Sequence, residues 1–324
     1  MYNISKKDKE ILYHLDINSR RPLRKIAKDV NIPENTLRYK IKKLEKNSII
    51  KYYYSVINSY NLGFIVIKFY TRYKNISSDI KSEVVEFFSK MTNTWLVSST
   101  EGEFDLAVIF WIKNISDFYP IWRNIFSRYA KYFTEPKFYF QCEALSFRPT
   151  YLINEKKRSE KEKYDLSRKD KHIIIDSIDA KILRHLAEDA RIPITKLAKN
   201  LEVSSSMIIN RINKLMKNNI IQSYRTEIDT LAIGFLHIKT DVFLNDLKDI
   251  NILINHFKRC PFVLCIMKSI GYPHLEIEFN VKSVSHFHQL MLDFIDKNPH
   301  KIKNYKYIQV LNRHKLCWIP KIKF

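Results

Sequence analysis

The sequence predicts an α+β protein in which one unit is written twice, and three observations carry that reading. The 324 residues contain only four glycines, and these fall into two matched pairs. Gly63 and Gly234 sit in the phrases Asn-Leu-Gly-Phe (61–64) and Ala-Ile-Gly-Phe (232–235), while Gly102 and Gly271 each stand three residues before a polar residue, Asp105 and His274. A residue used so sparingly is kept where the backbone needs a positive φ or a close approach. The second observation is a constant offset. Adding 171 carries Asp8 to Asp179, His14 to His185, Arg20 to Arg191, Pro22 to Pro193, Ile41 to Ile212 and Tyr53 to Tyr224 without a gap. Beyond that stretch the offset falls to 169, taking Gly102 to Gly271 and Phe110 to Phe279. The third is periodicity: each copy opens with helical spacing of apolar residues and then switches to alternation. Two copies are too few for a solenoid, so a tandem duplication is expected.

Residues 4–55 read as three short helices and a strand. Ser5 is placed to cap the first helix, whose apolar face carries Ile11, Leu12 and Leu15. Pro22 opens a second helix ending near Val30, and Pro33 starts a third that runs to about Lys46. Asn47 is expected to take the left-handed conformation that ends a helix. An alternating run, 49–57, follows as a strand. The second copy repeats the plan over 176–190, 193–201 and 204–217, with a stop at Asn218 and Asn219 and a strand over 220–228. Helix, helix, turn, helix, strand is the outline of a winged helix-turn-helix. After each comes a β-α-β-β-α-β order, which is ferredoxin-like. Copy one supplies strands at 64–72, 94–100, 104–112 and 137–146; copy two supplies them at 235–243, 262–268, 275–281 and 305–311. The expected domains are therefore 1–58 and 59–150, a charged linker over 151–175, then 176–229 and 230–324. The stretch 154–171, dense in Lys, Glu, Arg and Asp, reads as a flexible or partly helical linker.

Composition narrows the function classes. A hydrophobic share of 45% and an aromatic share of 13% exclude a disordered chain. No apolar run approaches the ~18 residues that span a bilayer, and the N-terminus lacks a signal-peptide core, so a cytoplasmic protein without a membrane partner is expected. Cys142, Cys260, Cys265 and Cys317 show no C-x-x-C spacing, and His286 and His288 lack further ligands, so no metal is expected. Four glycines cannot build a phosphate loop, and neither a Gly-x-Ser-x-Gly elbow nor a His-Glu-x-x-His helix is present. No enzymatic activity and no cofactor are expected. The formal charge of +22 instead points to a polyanion, and the helix-turn-helix context points to double-stranded DNA.

Several motifs in order give a resemblance. They are Asp-x-x-Ile-Leu at 179–183, Arg20 and Arg191 after the first helix of each copy, Arg-Ile-x-x-Leu at 211–215, Ile-Ile-x-x-Tyr at 220–224 and Gly-x-x-Asp at 102–105. Together they resemble the Lrp/AsnC (feast–famine) transcriptional regulators over nearly the whole chain apart from the linker. Two departures stand out: Lys40 replaces the motif's arginine in copy one, and His274 replaces the acid in copy two. The resemblance implies DNA binding through the third helix of each copy. It also implies that an amino acid or other small effector binds between paired ferredoxin-like domains, near the Gly-x-x-Asp turn.

On the third helix of copy one, Leu37, Ile41 and Leu44 face inward, which leaves Asn35, Arg38, Tyr39, Lys42, Lys43 and Lys46 on the opposite face. The matching face of copy two offers Ser206, Ile209, Asn210, Asn213, Lys214 and Lys217, with Arg211 of the motif counted among the DNA contacts. Arg and Asn can pair bidentately with guanine and adenine edges, and lysines suit phosphates. Residues 1–54 hold fourteen Lys and Arg against six Asp and Glu; 176–225 hold nine against five. Copy one is therefore expected to supply more of the salt-sensitive affinity. The expected effector residues are Gly102, Asp105, Gly271 and His274, with a purely structural turn as the competing reading.

The function expected is sequence-specific transcriptional regulation by an intrachain pseudo-dimer, with further self-association left open. The alternatives are a non-specific architectural DNA-binding protein and an enzyme like the siroheme decarboxylases, which share this architecture. Those enzymes carry His-x-Tyr-x-Arg and Trp-Pro-Tyr-Asn elements, and neither occurs here; Gly271-Tyr272-Pro273-His274 is only a loose echo.

Overall fold

The computed structural model describes residues 2–153, 163–167 and 173–320. Helix α1 (Lys6–Ile17) begins in a capping box, with the Asp8 N–H donating to Ser5 Oγ at 3.1 Å and the Ser5 N–H to Asp8 Oδ2 at 3.2 Å. Helices α2 (Leu23–Val30) and α3 (Glu34–Lys46) follow Pro22 and Pro33, and α3 buries Leu37, Ile41 and Leu44. The end of α3 corrects one expectation. Asn47 has φ −86°, and the left-handed residue is Ser48 at φ 55°. The second copy does the same, with Asn218 at φ −83° and Asn219 at φ 53°. The reversal falls one residue past the cap, because the cap residue still closes helical hydrogen bonds.

The rest of copy one comprises β1 (Ile50–Ile57), β2 (Ile65–Tyr73), α4 (Ser78–Lys90), β3 (Thr94–Gly102), β4 (Leu106–Ile112), α5 (Phe118–Tyr129) and β5 (Phe133–Phe147). A short strand β6 (Lys163–Asp165) leads to copy two: α6 (Ser177–Glu188), α7 (Ile194–Leu201), α8 (Ser205–Lys217), β7 (Ile221–Ile228), β8 (Leu236–Leu244), α9 (Ile250–Phe257), β9 (Val263–Ile270), β10 (Leu275–Val281), α10 (Val284–Asp296) and β11 (Ile302–Leu316). The α+β class and the repeated order of three helices, strand and β-α-β-β-α-β are both present.

The copies are interlocked. The strand expected to form each wing pairs with its counterpart: β1 and β7 make a two-stranded antiparallel ribbon, with Tyr53 opposite Thr226 and Ser55 opposite Tyr224. Each helical unit then packs on the other copy's strand, α1 on β7 and α6 on β1. The Arg20 guanidinium donates to the carbonyls of Ala190 at 2.6 Å and Ile192 at 3.1 Å, and the Ser19 N–H to Tyr224 O at 2.8 Å. The core around Ile11, Leu15 and Leu37 is continuous with the core of the second ferredoxin-like domain, and the core of α6–α8 with Val66, Ile109 and Trp111 of the first.

The two four-stranded sheets also join. Copy one runs β5-β2-β4-β3 and copy two β11-β8-β10-β9; β3 pairs β11 and β5 pairs β9, so these eight strands close into an antiparallel barrel. Part of the expected linker is structural: β6 adds to the outside of β5, and Tyr164 is buried against Tyr54 and Val56. The remainder of the proposed linker, 154–162 and 168–171, lies outside the described residues. Helices cover the barrel's outer surface. Along β10, Leu275, Ile277, Phe279 and Val281 join the core beneath α9 and α10, while Glu278 and Asn280 line the interior.

That interior is charged. Lys68 and Lys239 occupy equivalent positions in the two copies, and both reach Glu276 Oε2, at 2.8 and 3.0 Å. Tyr139 OH donates to the same oxygen at 2.8 Å, Ser269 Oγ donates to Oε1 at 2.7 Å, and Lys239 also pairs with Asp241. Burial alone would raise the Glu276 pKa, but Lys239 and Lys68 outweigh it and hold the carboxyl at about 2. Burial pushes Asp241 up to about 6. Glu276 therefore contributes stability that is complete above its ordinary value of 4.5 and is lost as the pH falls toward 2. Asp241 acts in the opposite sense, weakening the fold as the pH rises from 3.8 to 6. Glu276→Gln is expected to cost about 3–5 kcal/mol in urea unfolding at pH 7, because two lysines lose their shared partner. The gap to the parent protein should narrow at pH 3; a constant gap would show that ionisation of Glu276 is not what the fold uses.

Candidate nucleic-acid interface and effector turns

The outer faces of α3 and α8 carry the residues expected to meet DNA. Asn35, Arg38, Tyr39, Lys42, Lys43 and Lys46 are all exposed on α3, as are Ser206, Asn210, Asn213 and Lys214 on α8. Exposure of large apolar or aromatic side chains at Tyr39 (68%) and Ile209 (46%) suits surfaces that contact a partner. Arg38 is not idle: its Nε donates to Glu34 Oε1 at 3.0 Å, one turn earlier. This i,i+4 pair holds the guanidinium along the helix, so base contact requires exchanging Glu34 for a guanine edge.

Arg211, also expected among the DNA contacts, is engaged within its own helical unit. Its guanidinium turns back onto α6, meeting Asp176 Oδ2 at 2.6 Å and Asp179 Oδ1 at 2.9 Å. Lys40, its counterpart, meets Asp8 Oδ1 at 3.0 Å. The basic residue at this position fastens the third helix to the first. The departure from arginine to lysine in copy one keeps the ion pair. Sequence reasoning passed over another group. Lys25 and Lys28 on α2 recur at Lys196 and Lys199 on α7, and all four are exposed. The offset of 171 pairs them, and in a helix-turn-helix this helix crosses the phosphate backbone.

The glycine turns have a clear structural duty. Gly102 has φ +118°, and a Cβ there would lie 2.7 Å from the Tyr307 carbonyl oxygen on β11, so this crossing point between copies excludes a side chain. Gly271 has φ +107° and abuts Tyr139 of the other copy. Asp105 Oδ2 accepts from the Tyr73 N–H at 2.8 Å, and His274 Nδ1 accepts from the Leu244 N–H at 2.9 Å. Tyr73 and Leu244 are equivalent positions, 171 apart. The acid and the imidazole thus do the same work, closing a strand end, and the histidine is the tautomer with Nδ1 unprotonated. The two turns approach each other through the Phe104 and Tyr272 rings, 6.3 Å apart.

The described residues contain no group of three or more His, Cys, Asp or Glu able to hold a metal, and no helix is long and apolar enough to cross a membrane. Asp105→Ala is expected to lower stability by about 1–2 kcal/mol with no amino acid present, by leaving the Tyr73 N–H without its acceptor, and Asp105→Asn should recover most of that loss. Urea titration of the three proteins checks this; an undisturbed Asp105→Ala would return the carboxylate to the pool of free ligand groups.

Comparison with known proteins follows the same division. Residues 175–216 match the AsnC-type helix-turn-helix domain, and residues 4–51 match a winged helix-turn-helix DNA-binding domain. The HTH-type transcriptional regulator Ptr1 of Methanocaldococcus jannaschii is 31% identical over 108 residues, which are 33% of this chain and 72% of that protein. The proline dehydrogenase transcriptional activator of Rhodobacter capsulatus is 25% identical over 141 residues, 42% of this chain and 90% of its own length. Over the whole length, the crystal structure of the siroheme decarboxylase NirDL superposes with a TM-score of 0.62, covering 96% of this chain and 92% of the other at 13% identity. That likeness shows a shared arrangement of two fused units. Helix-turn-helix matches in both copies, together with the relatives that cover a full unit, place the chain: it belongs to the Lrp/AsnC family of helix-turn-helix transcriptional regulators, as two units in one polypeptide.

Proposed function

We infer that this chain is a sequence-specific DNA-binding transcriptional regulator that presents α3 and α8 as a fixed, unlike pair. The observation that carries this reading is the β1–β7 ribbon, which holds both helix-turn-helix units in one body while their outer faces differ. Arg38, Tyr39 and Lys42 face one half-site and Ile209, Asn210 and Asn213 the other. Two reading helices in such a pair meet DNA about one turn, or a multiple of it, apart. The exposed lysines of α2 and α7 suit the phosphates on either side. Family membership supports the same conclusion, as does the likeness to transcriptional regulators such as Ptr1. An effector site at the Gly102 and Gly271 turns has less support, because Asp105 and His274 are already engaged by strand ends.

Selection of bound sequences from random duplex DNA is expected to return two unlike half-sites in a fixed order. A perfect palindrome would overturn the unlike pair, and equal affinity for all duplexes would make the protein architectural. Arg38→Ala should cost roughly 1–3 kcal/mol on the selected site and relax one position of its consensus. Lys42→Ala should weaken all duplexes evenly and reduce the salt dependence. Absorbance titration with iron-uroporphyrin is the matching check on the enzyme alternative, for which a shifted Soret band would speak.

A further inference from the structure

We propose that the cavity between the barrel and the β1–β7 ribbon is a binding site for a small uncharged molecule with a planar apolar body and a hydrogen-bond donor, of nucleobase or indole size. The cavity measures about 210 Å³ and is walled by Leu96, Ala107, Ile109 and Val310 from the barrel, with Tyr54, Trp95 and Trp318 at its aromatic side. Its volume falls below the ~300–1,000 Å³ of pockets that take drug-sized ligands, which limits the occupant to one or two rings.

Charge excludes an ionic occupant. Among the described residues, each cationic side chain on the wall already has a carboxylate. Arg225 pairs with Asp16 at 2.7 Å, Arg313 with Glu227 at 2.6 Å, and Lys68 and Lys239 share Glu276. A carboxylate or phosphate would have to displace one of these internal acids in a poorly hydrated site, whereas an uncharged ring would not. Neutral groups on the same wall that lack any partner include Ser98 Oγ, Thr226 Oγ1, Asn280 Oδ1 and the indole N–H of Trp95. Ser98, Thr226 and Asn280 are 1%, 3% and 2% exposed. Asn280 spends its Nδ2 on Tyr151 OH at 2.8 Å, so what remains is an acceptor that calls for a donor. Buried polar atoms of native proteins are nearly always satisfied, and several unsatisfied ones around a single cavity, acceptors and an indole donor among them, specify what should fill it.

The place of the site matters as much as its chemistry. Tyr54 belongs to β1 and Thr226 to β7, so an occupant would touch the strand that follows each reading helix. Coupling to DNA rests on the proposed function; binding does not, and is measured without DNA.

The full-length protein would be titrated with indole, adenine, thymine and benzoate, followed by calorimetry and by tryptophan fluorescence, since Trp95 and Trp318 line the site. One of the three uncharged rings is expected to bind saturably at one per chain. Thr226→Val and Asn280→Leu should each weaken that binding on the order of tenfold. Thr226→Val should leave the unliganded melting temperature unchanged or higher, because it removes a buried hydroxyl that bonds to nothing. This combination separates a ligand group from a structural one and survives a failure of Asn280→Leu to fold. Saturation by none of the uncharged rings at millimolar concentration, tighter binding of benzoate, or full affinity in Thr226→Val would each overturn the proposal. Unchanged affinity for the selected duplex at saturation would remove the coupling alone.

Discussion

Everything in this molecule depends on closing sheet edges. A four-stranded ferredoxin-like sheet leaves two strands with unpaired N–H and C=O groups, and open edges invite pairing with any other chain. Here both edges of each sheet are taken by the other copy, through β3 with β11 and β5 with β9. Once those seams form, the helical units sit over the same junction, and their own strands complete a third seam at β1–β7. The polar interior follows from this geometry, since a closed barrel turns one face of every strand away from its covering helices. Lys68, Lys239 and Glu276 are tolerable there because both lysines meet the same carboxylate within hydrogen-bonding distance.

Much of the fold was legible, because most local signals agreed with it. Ser5, Pro22 and Pro33 mark helix starts, alternation marks the strands, and the repeat offset turns one reading into two. The pairing of the copies was not legible. Nothing in the pattern of 49–57 or 220–228 says that each strand takes the other as neighbour, because register between distant segments leaves no local trace. The strand within the linker left no local trace for a related reason: Tyr164 is one aromatic in a charged stretch, and its burial depends on Tyr54 and Val56 more than a hundred residues away.

The candidate sites divide along the same line. The outward faces of α3 and α8 were readable, because helical phase fixes what points away from Leu37, Ile41 and Leu44 or from Ile208, Ile212 and Leu215. Phase cannot tell how far a long side chain reaches, and Arg211 reaches back to Asp176 and Asp179. The substitution of His274 for an acid looked like a change of ligand chemistry. The structure makes it a conservative exchange, one lone-pair acceptor for another at a strand end. The cavity was invisible because its lining comes from strands of both copies and from the ribbon above them.

Fusion of the copies has a further consequence in the barrel. Lys68 and Lys239 recur by the offset, but the positions matching Glu276 and Asp241 hold Ala107 and Tyr70. Two lysines are therefore balanced by two acids that both come from the second copy. A dimer of identical chains could not build this centre, since each acid would appear twice or not at all. Covalent duplication has let the acids of the barrel gather on the strands of the second copy, while the position in the first copy that matches Glu276, Ala107, stays apolar. The result is a directional interior, which a molecule with one polar edge could enter in only one orientation.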